Sequence, residues 1–287
     1  MMPSPFAAFA PLNDLIRRQP LPLVSRTVVI GGVALLDWDV QQSARFGAEV
    51  WGSTSRTTED IDIVIAASDD RGWLEALTHA GWGRDPVKSY RWRPPATGTP
   101  TTCVVDLLGQ YGGDAEAGGQ AIRLQDYWGG EDGAYICRVL RAYQGRNQFP
   151  SMLTESFWDP YMQGFQWIRL NHLGLALSKL SAIGIVLRDG DSEHLRGATP
   201  VSRLAKDAQD AVRLLRDEVA GTIAGWHGQA VIDQLVPPLV TEVMEHLETI
   251  RAVTAGQRHT PHLQPTCRPV LEDLVGRLPR WRAPKTS

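Results

Sequence analysis

The run Arg56-Thr-Thr-Glu-Asp60-Ile-Asp62-Ile-Val-Ile65 carries the side chains best suited to chemistry. Acids alternating with β-branched residues predict a strand, and side chains at i and i+2 share one strand face. Asp60 and Asp62 therefore project together, while Ile61, Ile63 and Ile65 turn toward a core. Two carboxylates so close repel unless something neutralises them. A divalent cation does so, and Mg²⁺ (or Mn²⁺) favours oxygen ligands of this kind. A third acid, Asp106, stands in the apolar run Cys-Val-Val-Asp-Leu-Leu, where it is costly to bury unless paired or metal-bound. If the two strands are neighbours, the three acids converge. Three carboxylates can hold two metal ions about 4 Å apart for in-line phosphoryl displacement, with Asp106 as bridging ligand or base. Taken singly, each feature has a plainer reading: a solvated strand end, an edge aspartate, a simple turn.

The elements that must position these acids follow from pattern. Asn13 to Arg18 reads as a short helix, and Arg26 to Ile30 as a buried strand running into a Gly31-Gly32 turn. Val33 to Trp38 opens a helix. Ile61 to Ile65 is the acid-bearing strand, and Arg71 to Ala80 an amphipathic helix closed by Gly81. Tyr90 to Arg93 and Thr101 to Leu108 read as further strands. Gly112 to Gly119 is glycine-rich but lacks the GxxxxGK[ST] pattern of a phosphate loop. Beyond about residue 150 the pattern turns helical: Trp167 to Leu187, Val201 to Val219, Val231 to Val253 and Pro269 to Leu278. The fold class expected is α/β (α+β), a mixed-sheet domain over 1–150 followed by a mostly helical domain over 151–287.

The second half holds one further group. Between His172 and Arg188, Lys179 is the only ionisable side chain on a helix apolar around most of its circumference. Such a helix is buried, and a buried lysine needs a partner or loses its proton more easily. It either snorkels to the surface or reaches into a cleft to bind phosphate. The next helix carries Lys206-Asp207-Ala-Gln-Asp210; at the helical angle Asp207 borders the apolar stripe, Asp210 lies further round and Lys206 is nearly opposite. Surface i,i+4 pairing accounts for Lys206 and Asp210 better than for Asp207.

Strand-Gly-Gly, then Arg-x-Thr-x-Asp-x-Asp, then a later strand aspartate resembles the DNA-polymerase-β-type nucleotidyltransferase superfamily. The resemblance implies that Gly31 and Gly32 approach nucleotide phosphates. It makes Asp60, Asp62 and Asp106 the metal ligands, and Thr58 the small hydroxyl residue before the acid pair. Gly32 to Asp60 is longer than the family's usual spacing, so Asp37 to Gly52 is read as an insertion or an extended helix and loop. Lys179, Arg188, Lys206, Asp207 and Asp210 stand in the order found in the AbiEii-like and MenT-like toxins of bacterial type IV toxin–antitoxin and phage-defence systems. The resemblance covers roughly residues 25 to 217.

It implies an enzyme that transfers a nucleotide from an NTP to an acceptor hydroxyl, with tRNA or another RNA as acceptor and a cognate antitoxin as a possible partner. Arg56 and Lys179 are then phosphate clamps, and Asp207 and Asp210 belong to the nucleotide site. Two alternatives stay open: a small-molecule nucleotidyltransferase of the antibiotic-resistance type, and a non-catalytic antitoxin or regulatory binder that keeps the fold.

Composition sets the outer limits. The chain has 287 residues and a formal net charge of −3, so RNA contact would need a local basic patch. Arg84, Lys88, Arg91 and Arg93 around Tyr90 and Trp92 form one candidate. Arg138, Arg141 and Arg146 around Tyr143 form another, and Arg277, Arg280, Arg282 and Lys285 around Trp281 a third. Cys103, Cys137 and Cys267 have no zinc or disulfide spacing and fit a reducing compartment. His79, His172, His194 and His227 show no nucleophile or zinc spacing. The N-terminus lacks a basic region before its apolar residues, and no window holds the ~18 apolar residues of a membrane span. The expectation is a cytoplasmic protein without membrane contact.

Overall fold

The structure is a computed structural model. It describes residues 6, 9–18, 27–51, 58, 60–65, 70–86, 91–96, 103–109, 153–158, 168–189, 200–216, 229–230, 232–234, 237–258, 263 and 267–282. Arg56, the Gly112 to Gly119 excursion, Cys137, and the Arg138, Arg141 and Arg146 cluster lie outside these residues.

The chain divides into two compact units, and the described residues of the first run through Asn171. This unit is built on a seven-stranded mixed sheet. In chain order its strands are β1 (Val28–Ile30), β2 (Asp60–Ile65), β3 (Gly83–Arg84), β4 (Arg91–Arg93), β5 (Val104–Gly109), β6 (Thr154–Ser156) and β7 (Ile168–Leu170). Their spatial order is β3-β4-β5-β2-β1-β7-β6. The central pairings are β1 with β2 antiparallel, β2 with β5 parallel and β4 with β5 antiparallel. The α/β class is therefore present as expected. The sheet also takes in β6 and β7, which come from the part of the sequence read as helical.

That difference has a physical cause. Trp167 to Leu187 reads as one apolar helix, but Ile168–Leu170 is a strand and the helix starts only at His172. A three-residue strand is too short to separate a period of 2.0 from one of 3.6. What makes it a strand is its parallel pairing with β1, a partner far away in sequence.

The helices among the described residues of this unit are α1 (Ala10–Ile16), α2 (Gly31–Phe46), α3 (Ala48–Trp51) and α4 (Asp70–His79). The stretch between Gly32 and Asp60 that lengthens the glycine-to-acid spacing is thus filled largely by α2 and α3. Helix α2 packs on β1 and β2. The indole of Trp51 stands edge-on to Trp38 at 5.3 Å between ring centroids, and its Nε1 donates to Asp39 Oδ1 at 2.8 Å. The second turn of α2 is also anchored. Fully buried Arg169 of β7 donates through Nε to Asp37 Oδ2 at 2.5 Å and through Nη1 to Glu155 Oε1 at 2.6 Å. The Trp158 amide donates to the same Asp37 oxygen at 2.8 Å. A buried charge pair holds only when its remaining hydrogen-bonding capacity is used in this way. Helix α4 ends as its glycine predicts: Gly81 has φ +77°, its amide donates to Thr78 O, and the Trp82 amide donates to Leu77 O.

The second unit, described from His172 onward, is helical: α5 (His172–Asp189), α6 (Pro200–Leu214), α7 (Pro237–Thr254) and α8 (Arg268–Arg277). Helix α5 packs on α6 and α7, and α8 packs on the same two. The side chains of Leu175, Leu177, Leu180, Ile183 and Leu187 are buried, which explains why its sequence is apolar all round. At Gly184 a Cβ would lie 2.3 Å from Nδ1 of buried His246 on α7, so the missing side chain is what lets the two helices meet. Among the described residues no helix is long and apolar enough to cross a membrane.

Candidate functional site

Asp60, Asp62 and Asp106 come together on the sheet by register. Asp62 pairs with Asp106 across β2 and β5, and Arg91 pairs with Asp106 across β4 and β5. On the other side Ile30 of β1 pairs with Asp62. Directly paired residues project to the same face. Arg91, Asp106 and Asp62 therefore form a row, with Asp60 two residues before Asp62 on that face. Ile61 and Ile63 are fully buried on the opposite face, as the alternation predicted. The side chain of Ile65 lies outside the described residues.

The two ends of the row differ. At one end, Gly31 follows β1 and opens α2 with φ +66°. An ideal Cβ on Gly31 would sit 2.0 Å from Asp62 Oδ2, so the carboxylate occupies the space that any other residue would fill. Glycine is demanded twice here, by close approach and by backbone angle. Gly32 is the second residue of α2 and shows no such demand.

At the other end, Arg91 grips the acids. Its Nε and Nη2 donate to Asp106 Oδ1 and Oδ2, each at 2.7 Å, and Nη2 also donates to Asp60 Oδ2 at 3.1 Å. This is a bidentate fork on one carboxylate with a reach to a second. The Asp106 side chain is 6% exposed and that of Asp60 44% exposed. The site thus opens to solvent on the Asp60 side. Thr58 Oγ1 donates to Asp60 O at 2.9 Å and to Asp60 Oδ1 at 3.3 Å, which fixes the carboxylate's turn into β2.

Sequence reasoning placed Arg91 in a basic and aromatic surface patch. The structure gives Arg91 itself another role, while Lys88 and Tyr90 of that patch lie outside the described residues. Arg91 serves the carboxylates, Trp92 is buried, and Arg93 pairs with Asp85. Trp281 is buried as well, so neither indole is a free stacking platform. A signal for Arg91 was available: acids gathered in a sheet need a cation, and an arginine alternating into the neighbouring strand supplies one.

Lys179 meets Asp207 and Asp210 within the helical unit. Its Nζ donates to Asp207 Oδ1 at 2.6 Å and lies 2.8 Å from Asp210 Oδ2. Both acids are buried, so Asp210 faces inward with Asp207 rather than pairing with Lys206 at the surface. Lys206 is exposed, as expected. Burial alone would pull the Lys179 ammonium down. Attraction and hydrogen bonds from the two carboxylates outweigh that and hold its pKa above the ordinary lysine value.

The residues on the sheet suit a hard divalent cation in donor chemistry: all are carboxylates, and Gly31 leaves room for that of Asp62. Among the described residues no group of three or more His, Cys, Asp or Glu side chains is gathered closely enough to hold a metal ion as it stands. Asp60 and Asp106 hold the Arg91 guanidinium. Comparison with known proteins returned no family model, no curated protein and no solved structure that matches this chain.

Proposed function

We propose that the chain is a metal-dependent nucleotidyltransferase that moves a nucleotide from an NTP to an acceptor hydroxyl, with tRNA or another RNA as the acceptor class and toxin or phage-defence action as the biological setting. One observation supports it above the others. The register that pairs Asp62 with Asp106 also sets Asp62 against the Cβ-less Gly31 at the start of a helix. Phosphates favour such a helix start, where unpaired backbone amides gather. Acids beside it are what a phosphoryl-transfer centre requires.

On this reading Asp60, Asp62 and Asp106 would hold Mg²⁺ or Mn²⁺, which would supply charge neutralisation for the triphosphate. The acceptor oxygen forms a bond to the α-phosphorus while the bond to the pyrophosphate oxygen breaks. Asp106, once released by Arg91, would take the proton of the acceptor hydroxyl. Gly31 lets the chain approach the phosphates closely, Thr58 fixes Asp60, and Arg56 is proposed as a phosphate clamp. The test is incubation with Mg²⁺, each labelled NTP and total tRNA. Label should move to RNA with the native chain and not with Asp62→Asn. No transfer from a folded protein to any RNA, under any NTP, counts against the proposal.

The Arg91 grip favours a second reading, a non-catalytic binder such as an antitoxin, because a fixed guanidinium can occupy Asp60 and Asp106 permanently. Divalent-cation binding separates the two: the binder needs none.

A further inference from the structure

Every oxygen of the Asp60–Asp106 pair already accepts a hydrogen bond. Arg91 takes both oxygens of Asp106 and Oδ2 of Asp60, and Thr58 takes Oδ1 of Asp60. A divalent ion needs those oxygens at about 2.1 Å, and the bidentate guanidinium competes for the same carboxylate oxygens of Asp106. We infer that Arg91 is a built-in competitor: guanidinium and divalent cation exclude one another at this pair, so metal binds only as Arg91 lets go. The inference rests on the nucleotidyltransferase reading.

The geometry lets the exchange happen without unfolding. Backbone pairing of β4 with β5 holds the Arg91 Cα opposite Asp106, so only the long side chain has to move. The Arg91 side chain is 18% exposed and lies next to half-open Asp60, which gives the guanidinium a path to water. Displaced, it remains within a side chain's reach of the acids as a planar fork suited to phosphate oxygens. Until then the Arg91 charge offsets part of the negative charge of Asp60 and Asp106. Arg91 is in this sense a positioning residue that sets a threshold for metal.

The test is Mn²⁺ titration followed by electron paramagnetic resonance on the full chain, with thermal unfolding to confirm that each variant is folded. Arg91→Gln should bind Mn²⁺ about ten- to hundredfold more tightly than the native chain, the scale of a lost charge-assisted hydrogen-bonded competitor. Adding Asp106→Asn should erase the gain. Equal or weaker binding by Arg91→Gln, with the native chain binding normally, overturns the exclusion and leaves the metal reading in place. No Mn²⁺ site in either folded protein removes that reading and the inference with it. If Arg91→Gln does not fold, the Arg91 Nε–H resonance of the native chain gives the answer by Mg²⁺ titration. It should shift as its bond to Asp106 is lost, and an unmoved resonance alongside Mg²⁺-dependent shifts at Asp60 and Asp106 overturns the exclusion.

Discussion

Replacing Lys179 by methionine asks what that lysine is for. The substitution keeps most of the length and the apolar stem and removes the ammonium with its charge and hydrogen bonds. Asp207 and Asp210, whose side chains are each 10% exposed, would then lose the ammonium they share. Removing one partner of a buried pair costs about 3–5 kcal/mol, because the remaining charge is left uncompensated. That approaches the whole stability of an ordinary domain, about 5–15 kcal/mol. Urea unfolding followed by circular dichroism at a helix-sensitive wavelength reads the helical unit, and the midpoint should fall steeply. Adding Asp207→Asn and Asp210→Asn should recover much of the loss, because it removes the stranded charges. A change below about 1 kcal/mol, the scale of an exposed ion pair, would refute the burial argument and return Lys179 to the role of phosphate clamp. The pH dependence has a definite sign. Because the folded-state pKa of Lys179 is raised, its contribution is complete below the unfolded lysine value of about 10.4 and fades only as pH climbs through the higher folded value. Between about pH 6 and 9 this pair should therefore leave the native unfolding midpoint flat.

Gly31→Ala forces a Cβ into the position held by Asp62 Oδ2 and puts an L-residue at φ +66°. The backbone alone costs about 1–2 kcal/mol, so the melting temperature should fall and label transfer to RNA should vanish; a variant that keeps both sinks the role given to Gly31. Gly184→Ala, a change that favours helices by about 1 kcal/mol elsewhere, should destabilise here because the new carbon meets His246. His246→Ala should restore it, and a Gly184→Ala chain as stable as the native one counts against that packing. Burial pushes the Cys103 thiol up to about 12. Mass spectrometry after iodoacetamide near pH 8 should find Cys103 unmodified in the folded chain and modified in urea. Its linkage runs the same way: the unfolded thiol ionises first, so stability is lost as pH rises from about 8.5, its unfolded value, toward the folded one.

How much of this was legible depended on distance along the chain. Strands β1, β2, β4 and β5 and helix α4 were readable because pattern and punctuation are local: β-branched runs, alternation, and a glycine after the last turn. The shared face of Asp60 and Asp62 followed from alternation alone. Strand β7 was not readable, since its identity comes from pairing with β1 across most of the first unit. The same blindness hid Arg169, an arginine inside an apolar run whose partners Asp37 and Glu155 lie on other elements. Asp37 and Asp39 were the available clue: two acids in the otherwise apolar first turns of a helix require buried donors. For Asp210, helical angle put it toward the surface. A lysine reaching across from α5 turned that flank into an interior.

Among the described residues, the Arg91 group on the sheet and the Lys179 group among the helices each set two carboxylates around one cation, and their chemistry on paper is the same. Solvent separates them. Asp207 and Asp210 are nearly closed off, and so is Lys179 at 12% exposure; exchanging that lysine for another cation would mean bringing a hydrated ion into a helical interior. On the sheet, Asp60 is four times as exposed as either of those acids, and the side chain that neutralises it can swing outward while its strand stays paired. Asp106 is as closed off as the helical acids, so it is the open side at Asp60 that makes exchange of one cation for another easier at Arg91 than at Lys179. On the proposed nucleotidyltransferase reading, a substrate that brings its own metal and its own phosphates would use the first of the two. For that reason the acids of β2 and β5, and not those of α6, carry the case for chemistry.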